Sequence, residues 1–306
     1  MSTSSSRSQV SRGGLRRLRR YVPKPLQPAV RGLFMRVGPI TSRFRMDPSF
    51  IVIGGQRCGT TTIFKKLSEH PQVMRPPVEK GTDYYTLHSS RGNDWYRGNF
   101  PLRALANLQT RSTGPAVAFE ACTYYMFHPF ALQRLARDYP NIKLVAMLRD
   151  PVERAYSAYK HEYARNFEAE SDFVRALDLE DSRLEGEYER MAADPDYESF
   201  SHRHHAYRRR GQYAEQLQRA LRYFSPEQLH VMESEAFFAD GAAEYAKLLK
   251  FLELAPWIPQ DFEQFNARPG APMPAEAHQR LTSHYMSHDE DLADLLGRRP
   301  FWMGQR

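Results

Sequence analysis

Residues 51–67, IVIGGQRCGTTTIFKKL, contain the arrangement of glycines and small polar residues that binds phosphate groups. An apolar, strand-like run leads into Gly54 and Gly59, and a helix-like run follows them. Glycine lets the backbone approach an anion closely, and the first N–H groups of a helix favour negative charge. ATPases and GTPases have Lys after the last glycine of such a loop, where this chain has Thr60. The spacing therefore predicts an anion-binding loop with Arg57 as its cation.

A second segment of this kind is KLVAMLRDPVERAYSAYKHEY at residues 143–163. Its apolar run ends at Arg149, and Pro151 occupies the first position of a helix-like stretch, where proline is favoured. Ser157 lies in the same stretch. A guanidinium donates two parallel hydrogen bonds to a phosphate, and a hydroxyl can donate another. Arg149 and Ser157 are therefore predicted to clamp a second phosphate group.

Short apolar runs and helix-like stretches must position these two segments. The predicted strands are 50–54, 116–120, 143–149 and 229–234, and the predicted helices are 60–69, 129–138, 151–165 and 241–253. Continuous apolar strands that alternate with helices indicate an α/β fold, with a central parallel sheet and helices on both faces. Ligands of such sheets bind at the carboxyl ends of the strands, where both segments lie.

The charge of the chain is unevenly distributed. Residues 1–46 contain ten Arg, one Lys and no acidic residue, whereas the rest of the chain has 32 basic and 36 acidic groups. We expect residues 1–46 to form a basic, disordered arm and residues 47–306 to form the folded domain. A mildly acidic body disfavours specific nucleic-acid binding. The arm is predicted to be solvated, with contact to anionic lipid or nucleic acid as the main alternative, and its Ser- and Arg-rich, acid-poor composition is also compatible with a transit peptide.

Composition excludes several classes of protein. With 41% hydrophobic and 26% charged residues the chain can form a large core, and no apolar run is long enough to cross a bilayer. Cys58 and Cys122 are too few for a disulfide framework or a four-thiolate zinc site, which favours a reducing, cytoplasmic location. His202, His204 and His205 have no acid or Cys partner at ligand spacing, so no metal site is predicted.

Taken together, the two phosphate-binding segments resemble those of the sulfotransferases that use 3′-phosphoadenosine 5′-phosphosulfate (PAPS). The pattern is most similar to bacterial and heparan-sulfate-type carbohydrate sulfotransferases. Further similar segments are SEHPQV at 68–73, NDWYRGNFP at 93–101, FEACTYYMFHP at 119–129, RGQYAEQL at 210–217 and LLGRRPFW at 295–302. The resemblance covers residues 50–303 and implies a P-loop-like sulfotransferase fold, PAPS as the donor cosubstrate and no metal.

The resemblance also implies which residues bind the donor. The first loop would hold the 5′-phosphosulfate, Arg149 and Ser157 would hold the 3′-phosphate, and the segment that begins at Arg210 would lie near the nucleotide. The implied donor-binding residues are Arg57, Cys58, Gly59, Thr60, Thr61, Thr62, Arg149, Ser157, Arg210, Gly211 and Tyr213. Arg57 replaces the family's usual Lys and is also expected to act in catalysis.

The family's general base has no counterpart in this chain. The family reads K-E-x-H-F-F where this chain has KGTDYY at residues 80–85, and Gly81 cannot accept a proton. An alcohol acceptor still needs a proton acceptor within hydrogen-bond distance. Asp83 is the first candidate, because it lies on the same side of an extended segment as Gly81. Glu120, with acceptor positioning as an alternative role, is the second candidate, and Glu79 is the third.

By resemblance, we expect an enzyme that transfers a sulfuryl group from PAPS to a hydroxyl or amine of a carbohydrate or glycolipid. One alternative is an inactive nucleotide-binding or scaffold protein with the same fold, which Gly81 and Ala121 favour because the family has Glu and Lys there. A less favoured alternative is a P-loop kinase. Thr60 and Arg149 argue against it, since a kinase needs a loop Lys and an acidic residue for Mg²⁺.

Overall fold

The computed structural model describes Gly32 and residues 36–76, 80–262 and 271–304. Its centre is a five-stranded sheet with strand order β2–β3–β1–β4–β5, and every pair of neighbouring strands is parallel. The strands are β1 (Phe50–Gly54), β2 (Val73–Met74), β3 (Val117–Ala121), β4 (Lys143–Leu148) and β5 (Leu229–Glu233). The four predicted strands are present, and β2 is an additional edge strand too short to produce a sequence pattern.

Most of the described residues outside the sheet are helical or lie in short connections. The α-helices are α1 (Thr60–Glu69), α2 (Tyr84–Leu87), α3 (Asn93–Arg97), α4 (Arg103–Thr110), α5 (Ala131–Asp138), α6 (Pro151–Tyr163), α7 (Phe173–Asp178), α8 (Glu180–Leu184), α9 (Glu187–Ala193), α10 (Phe200–His204), α11 (Tyr213–Leu221), α12 (Ser234–Ala239), α13 (Gly241–Phe251) and α14 (Ala275–Leu296). The 3₁₀ helices are Ser42–Phe44, Ser89–Arg91, Arg209–Gly211, Pro226–Gln228 and Phe301–Gly304. Among the described helices, none has both the length and the apolar composition that crossing a membrane requires.

Helices cover both faces of the sheet. Successive side chains of a strand point to opposite faces, so Ile51 and Ile53 of β1 enter one core and Phe50 and Val52 enter the other. Helices α5 and α11 cover the first face, and α1, α12 and α13 cover the second. The predicted α/β fold with a parallel sheet between two helical layers is therefore confirmed.

The last residues of the predicted basic arm pack against the folded domain. Met46 lies in the core, and Arg45 is only 4% exposed. The Arg45 guanidinium donates from Nη1 to the carbonyl of Phe100 at 2.6 Å. Residues 1–31 and 33–35 lie outside the described residues. These contacts favour a start of the folded domain ahead of the predicted boundary.

Candidate active site

The loop between β1 and α1 lies at the carboxyl end of the sheet. Arg57 and Gly59 both adopt positive φ angles, 68° and 82°. Gly59 is the residue before α1, and no side chain caps that helix. The first turn of an α-helix leaves N–H groups without helical partners, which makes it a site for an anion. The loop therefore has the local structure that the glycine spacing predicts.

Arg57 joins the two segments that were predicted to bind phosphate. Its Nε donates a hydrogen bond to Oγ of Ser157, on α6, at 3.0 Å. Arg149, just after β4, lies with its Nη1 3.5 Å from the carbonyl oxygen of Arg57 and its Nη2 3.6 Å from Glu153. Arg57, Arg149 and Ser157 are all partly exposed. The structure thus brings a cationic cluster and a hydroxyl group together at one end of the sheet.

The start of α6, which carries Ser157, is set by local sequence. The Asp150 carboxylate accepts from the N–H of Val152 at 2.9 Å, and Pro151 is the first helical residue. A cap of this type stabilises a helix by about 1 kcal/mol. The N–H of Asp150 in turn donates to Glu235 at 2.9 Å, which ties this cap to α12. The cap fixes where the helix begins and therefore where Ser157 lies relative to Arg149.

The remaining loop residues are mostly buried. Cys58 is fully buried, and burial raises the pKa of its thiol to about 11. Its side chain is therefore a protonated packing group, not a reactive thiolate. Thr62 is also buried and Thr61 is half-buried, both in the first turn of α1. Thr60 is buried as well, and its Oγ1 accepts a hydrogen bond from Lys80 at 2.9 Å.

Lys80 brings a second cation to the start of α1. Burial lowers the pKa of its ammonium to about 8, so the group is still mainly protonated at neutral pH. From the sequence alone, Lys80 is only the residue that matches the first Lys of the family segment K-E-x-H-F-F, and no role in the site is predicted for it. Its proximity to Thr60 depends on the crossing of two segments that are 20 residues apart.

The Arg210 segment reaches the loop indirectly. Arg210 is buried, and it donates from Nη1 to the side-chain oxygen of Gln56 at 2.7 Å. Tyr213 donates its hydroxyl to the carbonyl of Arg149 at 2.9 Å. Gly211 instead faces Tyr285, and a Cβ at this position would lie 2.4 Å from the tyrosine hydroxyl oxygen. Arg210 and Tyr213 therefore support the two anion-binding segments, whereas Gly211 allows close packing.

A cavity of about 370 Å³ opens beside the loop and is lined mainly by polar side chains. Its lining residues are Gln56, Lys80, Gly81, Asp83, Ala121, Cys122, Thr123, Tyr124, His161, Glu162, Arg165, Phe167, Arg203, His204 and Arg210. Asp83 is among them, but both of its oxygens are engaged. Oδ1 accepts from the Cys122 thiol at 2.9 Å, and Oδ2 accepts from Arg203 at 3.1 Å.

Glu120 is fully buried and does not line this cavity. Its Oε2 accepts hydrogen bonds from both the N–H and the hydroxyl of Thr82, each at 2.8 Å. Its Oε1 accepts from the hydroxyls of Tyr96 at 2.9 Å and Tyr125 at 3.0 Å. In this structure Glu120 is therefore an anchor for the segment beside Asp83, and it does not face the space available to an acceptor.

Gly81 packs so closely against β3 that this backbone has no room for a side chain. A Cβ at residue 81 would lie 2.6 Å from the carbonyl oxygen of Ala121. Lys80 accepts from the N–H of Ala121 at 2.9 Å, which holds the two segments at this separation. A Glu at this position would require the segment to move. Glu79, the third candidate base, lies outside the described residues.

The histidine cluster of α10 makes contacts that its sequence does not reveal. His204 Nδ1 lies 2.9 Å from Oε2 of Glu162, an acid 42 residues earlier on α6. His202 contacts Tyr124 through Nδ1 at 2.8 Å, and His205 contacts the carbonyl of Phe167 at 3.0 Å. Over the described ranges, no group of three or more His, Cys, Asp or Glu residues has the geometry of a metal site. Sequence reasoning missed Glu162, because spacing alone does not link α6 to α10.

Comparison with known proteins agrees with this architecture. The sequence model described as a sulfotransferase domain matches residues 47–264. The chain is 26% identical over 294 residues to human bifunctional heparan sulfate N-deacetylase/N-sulfotransferase 3, covering 84% of this chain and 31% of that protein. It is 26% identical over 225 residues to mouse heparan sulfate glucosamine 3-O-sulfotransferase 5, covering 73% of this chain and 58% of that protein. The chain therefore spans less than two thirds of the length of either relative.

A solved structure extends the comparison to the fold. The crystal structure of a sulfotransferase from Alicyclobacillus acidocaldarius is similar at a TM-score of 0.64 and 25% identity, covering 85% of this chain and all of that one. The sulfotransferase fold that the sequence resemblance implied is confirmed by this match. Because the family match extends over most of the chain, this protein belongs to the sulfotransferase family.

Proposed function

We propose that this protein is an enzyme that transfers a sulfuryl group from PAPS to a hydroxyl or amine of a carbohydrate or glycolipid. The observation that carries the proposal is the hydrogen bond between Arg57 and Ser157, at 3.0 Å. It joins the two anion-binding segments at one end of the sheet. A nucleotide with phosphate groups at its 3′ and 5′ positions needs two such sites close together.

The residues present fit such a donor. The start of α1, Arg57 and Lys80 would hold its 5′ side, and Arg149 and Ser157 would hold its 3′-phosphate. The positive φ of Gly59 supports this fit, because it gives the loop a backbone that approaches an anion closely. The donor supplies an activated sulfuryl group attached to a bisphosphate leaving group. Arg57 and Lys80 would stabilise the negative charge that develops on that leaving group.

The cavity beside the loop would receive the acceptor. Its lining combines hydrogen-bonding side chains with the aromatic rings of Tyr124 and Phe167. A sugar ring presents hydroxyl groups at its edges and a less polar face, so it suits such a lining. The names of the two curated relatives refer to heparan sulfate, which also supports a glycan. Asp83 would contact the acceptor and is one candidate for its proton acceptor.

Calorimetry and a transfer assay test this proposal. We expect 3′-phosphoadenosine 5′-phosphate to bind and ATP with Mg²⁺ not to bind. Radiolabelled PAPS would then be offered with desulfated heparan sulfate and with a panel of glycans and glycolipids, and we expect label on a glycan. Preferential binding of ATP with Mg²⁺ would contradict the proposal. Binding without transfer to any acceptor would support the inactive-scaffold alternative, which the tight contact of Gly81 with Ala121 favours.

The proposal also gives the basic arm a role in location. We propose a cytoplasmic protein that contacts anionic membranes through the Arg residues that precede buried Arg45, in a segment that lacks acidic residues. Basic segments near an anionic surface contribute about 1 kcal/mol per Arg or Lys, and salt screens this attraction. Specific binding of nucleic acid is not part of the proposal.

A further inference from the structure

Glu162 and His204 form an acid–histidine pair at the wall of the acceptor cavity. Glu162, on α6, has a side chain that is only 1% exposed, and the side chain of His204, at the end of α10, is 11% exposed. His204 Nδ1 lies 2.9 Å from Glu162 Oε2. Both residues line the cavity that also contains Lys80 and Asp83. The pair therefore borders the space next to the loop in which we propose that the acceptor binds.

The carboxylate fixes which nitrogen of His204 is available. Burial opposes ionisation of Glu162, but its hydrogen bond to His204 and the charges of His204, His161 and Arg210 hold its pKa below the ordinary value. The ionised carboxylate accepts a hydrogen bond from the N–H at Nδ1, so the lone pair of neutral His204 lies on Nε2. Nε2 has no hydrogen-bond partner among the described residues. This arrangement orients an imidazole so that it can accept a proton.

The same carboxylate connects His204 to the anion-binding loop. Gln56, within that loop, donates from Nε2 to Oε1 of Glu162 at 2.8 Å. Arg210 donates to the side-chain oxygen of Gln56 at 2.7 Å and so fixes the orientation of this amide. The two oxygens of Glu162 therefore bond the loop on one side and the imidazole on the other. This chain of contacts holds His204 in a defined position relative to the proposed donor.

Asp83 is less well arranged to accept a proton. Its two oxygens accept from the Cys122 thiol and from Arg203. Each oxygen that would have to receive the acceptor proton therefore already has a donor in place. His204 Nε2 makes no comparable contact with the described residues.

We propose that His204, oriented by Glu162, takes the proton of the acceptor during sulfuryl transfer. This inference rests on the proposed function. The acceptor oxygen or nitrogen forms a bond to sulfur, and the bond between sulfur and the bridging phosphate oxygen breaks. The acceptor proton moves to Nε2 of His204, and the bridging electron pair leaves with 3′-phosphoadenosine 5′-phosphate. The imidazolium that forms is stabilised by the Glu162 carboxylate.

The ionisation of His204 depends on every charged group around it. The opposing influences are the Glu162 carboxylate, which favours the imidazolium, and nearby cations, which disfavour it. The charged and titratable groups that face or flank the pair are Glu162 and His161 of α6, Arg165 just after that helix, Asp83 and Lys80 of the loop before α2, Arg203 and His205 beside His204 in the chain, and Arg210. Substitution of Glu162 alone removes the anion that is hydrogen-bonded to His204 and leaves the other charged groups in place.

A titration of the histidines by NMR tests the pair without any turnover. His204 is assigned by comparison of the wild-type spectrum with that of His204→Gln. In Glu162→Gln, which keeps the side-chain shape, we expect the pH-dependent signals of His204 to differ from those of the wild type, because the neighbouring anion is lost. An unchanged His204 titration would overturn the pair. This result does not depend on whether PAPS is the donor.

Kinetics test the role of the pair in the reaction. The readouts are release of labelled sulfate from PAPS to water and transfer to desulfated heparan sulfate. We expect His204→Gln to lower kcat by roughly 10²–10⁴-fold and to remove the rise of kcat with pH, with unchanged affinity for 3′-phosphoadenosine 5′-phosphate. Glu162→Gln should lower kcat by a smaller factor than His204→Gln does, and it should shift the rise of kcat to lower pH. His205→Gln is the matched control, since His205 bonds a backbone carbonyl and does not line the cavity.

The outcomes separate this inference from the proposed function. If Asp83→Asn abolishes turnover while His204→Gln keeps its rate and pH profile, the proton goes to Asp83 and the inference is wrong. If the wild-type protein neither binds the bisphosphate nor transfers label, the proposed function fails, whatever the NMR titration shows. Melting temperatures of all variants show whether a loss of rate reflects unfolding.

Discussion

Arg149 is the residue on which we expect selectivity for a 3′-phosphate to depend. Replacing it with Ala should weaken binding of 3′-phosphoadenosine 5′-phosphate by about 2–3 kcal/mol, because a charge-assisted contact is lost. Binding of 5′-AMP, which lacks the 3′-phosphate, should change little. Calorimetry with both nucleotides measures the difference.

Arg137→Ala is the control for that substitution. Its side chain is 75% exposed on α5 and pairs with the adjacent Asp138, so the variant removes the same charge away from the site. We expect it to bind both nucleotides like the wild type. An Arg149→Ala protein that loses equal affinity for both nucleotides would show that Arg149 acts on the whole loop.

Lys80 should make nucleotide binding depend on pH. Burial lowers its pKa from 10.5 to about 8, and a bound anion would favour its protonated form. Affinity for the bisphosphate should therefore fall as the pH rises above about 8. In Lys80→Met this fall should be absent. Calorimetry at several pH values checks the prediction, and identical pH dependence of the two proteins would contradict it.

The same shift predicts an effect on the stability of the nucleotide-free protein. The folded-state pKa of Lys80 lies below its unfolded value, so between pH 8 and 10.5 the unfolded chain binds more protons. The free energy of unfolding should therefore rise with pH in this window relative to Lys80→Met, by at most about 1.4 kcal/mol per pH unit. Urea unfolding of both proteins across the window measures this difference. If the free energies of unfolding of the two proteins change in parallel with pH, the pKa of Lys80 is not lowered in the folded state.

The segment that carries Gly81 packs closely against β3, and we expect that a larger side chain at Gly81 would not fit there. A Cβ at Gly81 would lie 2.6 Å from the carbonyl of Ala121. We expect Gly81→Ala to lower the free energy of unfolding by about 1–3 kcal/mol, the usual cost of overpacking. Gly304→Ala, where no atom lies within 4 Å of the added Cβ, should have little effect.

Because of this contact, we expect that one substitution cannot introduce the Glu that the resemblance implies at this position. We expect Gly81→Glu to be at least as unstable as Gly81→Ala and to gain no activity. Urea unfolding and the labelled-PAPS assay measure the two effects. A stable and faster Gly81→Glu protein would show that the segment can move away from β3.

The N-terminal arm should divide into a dispensable part and a structural part. Deletion of residues 1–31 should leave the melting temperature and bisphosphate affinity nearly unchanged, because this segment is rich in Ser, Arg, Gly and Pro, a composition that does not favour a packed core. Deletion of residues 1–46 should lower the melting temperature, because it removes buried Arg45 and Met46. Binding to vesicles that contain phosphatidylserine, weakened by salt, should be lost in both truncated proteins. Equal melting temperatures for the two truncated proteins would show that Arg45 and Met46 do not stabilise the domain.

The sequence by itself determined those parts whose signals are local. The continuous apolar runs of β1 and β4, the glycines before α1 and the Asp-Pro start of α6 each specify structure over a few residues, so the parallel sheet and its two anion-binding segments were predictable. The edge strand β2 and the short polar helices α7 to α10 were not. They are too short to produce a period, and packing against the rest of the chain decides their conformation.

The acceptor side of the site was decided by the tertiary structure. Lys80 meets Thr60 across 20 residues, Asp83 meets Cys122 across 39, and Glu162 meets His204 across 42. No spacing rule connects such pairs, since each depends on how separate loops cross at the carboxyl end of the sheet. Burial then decided what each group can do. It enclosed Glu120 among hydroxyl groups and kept Cys58 protonated. His204 lines the cavity, and its Nε2 has no hydrogen-bond partner among the described residues. The sequence could predict the conformation of the loop that we propose to bind an anion, because local backbone geometry sets that conformation. Proton transfer depends on distances between separate segments, which only the folded chain sets.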